Sequence, residues 1–209
     1  MKTPEHPIFQ ESIKYIRSKL GFTGLDEVQQ LILERIIHSS GDFSLSSCLR
    51  FSPSACENAL TALLNGAKIL TDTYMAEAAI TPMARRTLNT DIQCILETAP
   101  TFIDSTLTTR SAIGMRNIWL DFEDQDNLLN SPLVVIGSSP TALMALLDLV
   151  DEGSKTPSLI IGMPVGFIGV SESKSRLLNS KCSFIILEGS KGGASVAAAT
   201  INALFRASE

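Results

Sequence analysis

Histidine is almost missing from this chain: His6 and His38 are the only two in 209 residues. The four cysteines, Cys48, Cys56, Cys94 and Cys182, form no CxxC pair. Neither histidine completes a metal-ligand pattern with them, so no metal site on the protein is expected. The cysteines read instead as reduced, mostly buried thiols of a cytoplasmic protein. No basic block occurs, and the net charge is −5. That argues against a sequence-independent nucleic-acid binder and leaves room for a local basic pocket. Long apolar runs are lacking too. The richest, "SLIIGMPVGFIGV", is shorter than a membrane span and is broken by glycine and proline. The opening "MKTPEHPIFQESIK" lacks the apolar core of a signal peptide. A soluble protein with no membrane or nucleic-acid partner is expected.

Apolar residues are plentiful, at 44% against 19% charged. This balance leans toward a deep interior and a subunit interface. With no linker, repeat or low-complexity tract, residues 1–209 read as a single domain. The first third is helical in pattern. "PIFQESIKYIRSKLG" and "LDEVQQLILERIIHSSG" carry apolar residues at helical spacing and stop at Gly21 and Gly41. "SPSACENALTALLNG" offers Ser52 as an N-cap, Pro53 at the first helical position and Asn65-Gly66 as its end. The period then changes. Five short apolar runs, 67–72, 91–97, 132–137, 157–165 and 182–189, alternate with helical stretches such as 108–124, 140–153 and 192–208. The expected fold class is α/β: a mostly parallel central sheet of about five strands, helices on both faces, and an N-terminal helical segment.

In such folds ligands bind beyond the carboxyl ends of the strands. The last three runs enter "GSSPTAL", "GMPVGFIGVSESK" and "GSKGGAS", small-residue loops that lead toward helices. Backbone N–H groups there suit anions. None of the loops has the GxxxxGK[ST] or GxGxxG spacing, and no GxSxG elbow occurs, which disfavours a standard nucleotide site and a serine triad. The glycines alone are equally compatible with tight strand–helix turns. His6 lies in a terminal "PEHPIF" that solvation explains, whereas His38 sits in the last turn of a predicted helix. Such a residue either caps its own helix or presents a titratable ring to a ligand. Asp42 either orients that ring or forms a local cap after Gly41. Arg85-Arg86 reads as a surface pair or as a rim over the site.

Taken together, "RIIHSSGD", "GAKILTD" followed by Met75, "TTRSA", "GSSPTAL", "IGMPVGFIGVSESK" and "KGGASVAAATINAL" resemble the precorrin-8X methylmutase family, in the same order from about residue 8 to 205. Two departures stand out. Ser138-Ser139 replaces the family's usual Asn-Ala, and Ala194 stands where a serine is frequent.

The resemblance implies an isomerase of corrin-ring (vitamin B12) biosynthesis that needs no separate cofactor. It moves a methyl group from C11 to C12 of precorrin-8X, or of cobalt-precorrin-8, to give hydrogenobyrinic acid or cobyrinic acid. A homodimer with sites near the subunit interface is implied as well. The family's catalytic histidine maps onto His38, and a substrate-contacting serine maps onto Ser12. The corrinoid's acetate and propionate arms give the loops a purpose. Arg110, Gly137, Gly166, Lys174, Lys191, Gly192 and Gly193 are the candidate substrate-binding residues. Arg110 opens a predicted helix, where the dipole disfavours a cation unless an acid partners it. The alternative to the isomerase is a non-catalytic corrinoid-binding protein of the same fold, which would not need His38.

Overall fold

The computed structural model describes residues 6–104, 108–123 and 131–209. In chain order the elements are α1 (Pro7–Leu20), α2 (Glu27–Ser40), β1 (Leu49–Phe51), α3 (Ala55–Leu64), β2 (Ile69–Thr71), α4 (Tyr74–Arg86), β3 (Ile92–Cys94), α5 (Arg110–Glu123), β4 (Leu133–Ile136), α6 (Pro140–Asp151), β5 (Leu159–Gly162), α7 (Val170–Leu178), β6 (Phe184–Leu187) and α8 (Ala194–Ala207). Short 3-10 turns cover Phe43–Ser47 and Ile95–Glu97. The strands stand in the order β1-β6-β5-β4-β2-β3. Among the described residues only the edge strand β1 runs antiparallel to its neighbour; the other four pairings are parallel.

Side chains alternate across a strand, so a sheet covered on both faces must be apolar at every position. Ile69, Leu133, Val135, Leu159, Ile161 and Ile185 face one layer, built from α1 to α4 and α8. Leu70, Val134, Ile136, Ile160, Phe184 and Ile186 face the other, built from α5 to α7. Each aliphatic side chain buried in this way contributes about 1.5–3 kcal/mol over an exposed one. Helix α8 lies between the sheet and α2 and α4. Its buried Ala197, Ala198 and Ala203 let both helices approach closely.

Helix α2 starts at a capping box, in which Asp26 and Gln29 each accept the other's backbone N–H. It stops at Gly41, whose φ of 67° no branched side chain adopts cheaply and whose N–H reaches Ile37 O at 2.8 Å. On α2, Glu34 is fully buried. Arg17 of α1 grips its carboxylate with Nε at 2.7 Å and Nη2 at 3.0 Å, and Gln30 adds a third bond. This forked contact fixes α1 along α2, which matters for the site below.

The structure adds two elements to the expected set and moves the start of a third. The sheet has a sixth strand, β1, whose mixed "LRF" carries no periodic signal. Because β1 pairs with β6, Ser52 is used at the sheet edge, where its hydroxyl accepts the Phe184 N–H at 2.8 Å. Helix α3 therefore starts only at Ala55, behind Ser54 in the left-handed region. Helix α4 fills residues 74–86, a stretch between two apolar runs with no predicted element. Pro82 lies inside it, and its buried face is Ala76, Ile80 and Ala84, two of the three small, so its periodicity is faint. Residues 1–5 of the opening stretch and Asp124, the last residue of the predicted 108–124 helix, lie outside the described residues. Among the described residues no helix is long and apolar enough to cross a membrane. All four cysteines are free thiols, three of them buried.

Candidate active site

His38 occupies the last turn of α2 with its ring exposed. Helix α1 supplies its neighbours. Ser12 Oγ lies 2.8 Å from His38 Nδ1, and the Phe9 ring meets the imidazole edge-on with centroids 4.7 Å apart. Phe9 is itself held by the Arg35 guanidinium over its face. Both partners depend on the Arg17–Glu34 grip, because α1 carries Phe9 and Ser12 and α2 carries His38. Among the described residues, Nε2 of His38 has no protein partner, which leaves that nitrogen for a ligand.

Asp42 does not orient the histidine. Its carboxylate caps the 3-10 turn through Ser44 N–H at 2.9 Å and takes Lys191 Nζ at 2.6 Å. The Lys191 hydrogen bond, helped by Ser44, holds the Asp42 carboxyl down at about 2. A depressed carboxyl stabilises the fold above its usual range and loses that effect as pH falls, so the pair is intact across neutral and mildly acid pH. Lys191 also reaches Ser44 Oγ at 2.5 Å. Part of the charge expected for a substrate carboxylate is thus shared with Asp42. Nearby, Ser39 Oγ donates to Ser195 O at 3.4 Å. The end of α2 is therefore joined to the β6–α8 loop and to the start of α8.

The glycine loops do converge here, but not as free anion cradles. Gly137, Ser138 and Ser139 point three backbone N–H groups at a single oxygen, Oδ2 of Asp72, at 3.1, 2.6 and 2.8 Å. The nest at 137–139 is filled by the protein's own carboxylate. Burial pushes the Asp72 carboxyl above its usual range while the three amides pull the other way. Gly166 N–H donates to Ser190 O and Gly193 N–H to Met163 O. A Cβ on Gly192 would sit 2.1 Å from Met163 O, and one on Gly137 2.6 Å from Ala194 Cα. These two glycines are there for close approach of loop to loop. The expectation that the amides of Gly137, Gly166 and Gly193 bind substrate is corrected accordingly. Ala194, one of the two departures, is the residue packed against Gly137.

Lys174 is also corrected. Its side chain is 1% exposed, and Nζ donates to Gly189 O at 2.8 Å and to Lys191 O at 2.7 Å. It holds the loop from beneath and does not reach the surface. Arg110 opens α5 as expected. Its Nε donates to Pro100 O at 3.0 Å, and among the described residues its Nη groups have no protein partner. Serine and threonine hydroxyls connect α5 to the β4–α6 loop: Ser111 to Ser139 at 2.6 Å, and Thr109 to Thr141 at 2.7 Å. Arg110 thus lies at the same carboxyl end of the sheet as His38, without touching it. Arg85 and Arg86 do not. They are exposed and end α4, which leaves the carboxyl end of β2 and runs about 18 Å away from it. They form a surface pair and not a rim.

Sequence reasoning missed Phe9, Asp72 and the hydroxyl cluster. The one usable signal was Asp72, an acid closing the apolar run "AKILTD" at the carboxyl end of a strand.

A family model described as precorrin-8X methylmutase matches residues 7–207. A cobalt-precorrin-8 methylmutase of Synechocystis sp. is 36% identical, over 96% of this chain and 94% of its own. A precorrin-8X methylmutase of Pseudomonas aeruginosa is 35% identical, over 94% and 93%. Among solved structures, the precorrin-8X methylmutase from Thermus thermophilus superposes with a TM-score of 0.85 at 31% identity, covering 96% of this chain and 95% of that one. With this match running through every element that builds the site, the chain belongs to the precorrin-8X methylmutase family, isomerases of corrin biosynthesis that act by methyl migration.

Proposed function

We propose that this protein moves the C11 methyl group of precorrin-8X, or of cobalt-precorrin-8, to C12, and that His38 is the group that assists the shift. The observation that carries this reading is the Ser12–His38 pair, with Nδ1 engaged at 2.8 Å and the ring exposed. With the serine hydroxyl donating to Nδ1, the neutral ring carries its proton on Nε2 and gives a hydrogen bond to a pyrrole-type nitrogen beside the migrating methyl. In the imidazolium form Nδ1–H donates to Ser12 Oγ instead, and the Nε2 proton can pass to that nitrogen, leaving the neutral ring. The rest of the site positions the macrocycle, since a shift within one molecule gains most from a single fixed geometry. Arg110, the Gly192 amide and the solvent-facing side of Lys191 hold the acid arms. Incubating purified protein with each precursor form under anaerobic conditions tests the reading: the visible spectrum should change to that of the product. A spectrum that stays unchanged with both forms contradicts it.

The protein works in the cytoplasm as a homodimer, with the site beside the subunit interface. Val165, Phe167 and Ile168 support the dimer. They form an apolar group on the β5–α7 loop with 49%, 89% and 89% exposure, on the same end of the sheet as His38. Light scattering at micromolar concentration should report about twice the chain mass; a fully active monomer would rule the dimer out.

Arg110→Ala should weaken product binding by about 1.5–3 kcal/mol, the worth of one charged hydrogen bond, with fold and assembly retained. Unchanged affinity by titration would remove Arg110 from the site.

A further inference from the structure

Lysine is almost never fully buried unless an acid partners it, yet Lys174 is buried in α7. No carboxylate forms an ion pair with it among the described residues. Burial pulls its ammonium down to about 8. A side chain held under that penalty calls for a reason. Both of its hydrogen bonds go to carbonyls of one loop, those of Gly189 and Lys191. Lys191 is therefore gripped at its main chain from below, while its own ammonium reaches across to Asp42 and Ser44. Asp42 lies just past the α2 end that carries His38, and Ser39 of that end bonds to Ser195 beyond the same loop.

We propose that Lys174 is a positioning residue: its buried ammonium fixes the 189–191 loop, and through the Lys191–Asp42 pair that loop locks the end of the helix presenting His38. The inference rests on the functional reading of His38 given above. Lys174 never touches the substrate. It sets where Lys191 stands, and so whether the histidine, Asp42 and the loop keep one geometry. Methionine at 174 would fill the same space and hold neither carbonyl.

The test compares full-length wild type, Lys174→Met, Asp42→Asn and the double variant. Amide hydrogen exchange over residues 188–193, product affinity and single-turnover conversion are measured on each. In Lys174→Met, exchange in that loop should rise at least about tenfold and the single-turnover rate fall about tenfold or more, with product affinity changing less than the rate. Asp42→Asn should do the same more weakly. The double variant should turn over no more slowly than Lys174→Met, because both changes open one clamp. Faster loop exchange with wild-type turnover would make Lys174 a purely structural residue and overturn the proposal; so would rate losses that simply multiply. Should Lys174→Met fail to fold, Asp42→Asn decides alone, and wild-type exchange and turnover there would overturn it. Wild-type protein that converts neither precursor would sink the functional reading and this inference with it, whereas wild-type conversion with an unaffected Lys174→Met would sink this inference only.

Discussion

Replacing His38 with Asn should slow single-turnover conversion about 10²–10⁴-fold, the usual contribution of a positioned acid or base. The fold should barely respond. The ring is exposed, so no core packing is lost. The helix also ends without help from the imidazole, because Gly41 N–H closes on Ile37 O. What remains is the loss of a basic group near the helix C-terminus, worth about 0.3–1 kcal/mol. Conversion and the urea midpoint should be read on the same preparation. A variant that turns over normally and unfolds early would make His38 a helix cap and nothing more.

Asp72→Ala should give the largest loss of stability. One carboxylate oxygen receives three loop amides, and Asp72 is 1% exposed. Removing it strands those donors, at a cost on the order of 3 kcal/mol. For a chain of this size that corresponds to roughly 6–12 °C in Tm. The β4–α6 loop would lose its tie to β2. The Ser139–Ser111 bond to α5 and the Gly137 contact with Ala194 would loosen with it, so conversion should fall as well. Asp72→Asn keeps one acceptor oxygen and should sit between the two. A melting temperature within 1–2 °C of wild type for the alanine variant, about half a kcal/mol at that scale, would mean that the nest holds itself.

These effects were unequally legible in the sequence. The parallel strands could be read because burial on both faces makes them continuous apolar runs, and the loops after β4, β5 and β6 because glycine marks them. His38 stood out by scarcity and by its place at a helix end. Strand β1 could not be read, since three residues on an antiparallel edge carry no periodicity. Nor could α4, whose interior proline and alanine-rich face weaken the helical signal. The partners of Lys174 and the glycine amides could not be read, and the two readings of Asp42 could not be separated, for one physical reason. Residue type tells which bond a group can make, and only the fold tells which partner is nearest. Asp42 lies four residues from His38 in sequence yet pairs with Lys191, 149 residues away. The Gly137 amide points at an anion, as a glycine loop should, and the anion is Asp72.

The reaction transfers one methyl group within one macrocycle, from C11 to C12. The most direct measurement uses precursor carrying a ¹³C label in the C11 methyl group, mixed with an equal amount of precursor labelled elsewhere in the ring, and follows the product by NMR and mass spectrometry. The ¹³C methyl resonance should appear at C12, and no molecule should carry both labels. A label that remains at C11, or product in which the two labels have become mixed, would contradict that transfer.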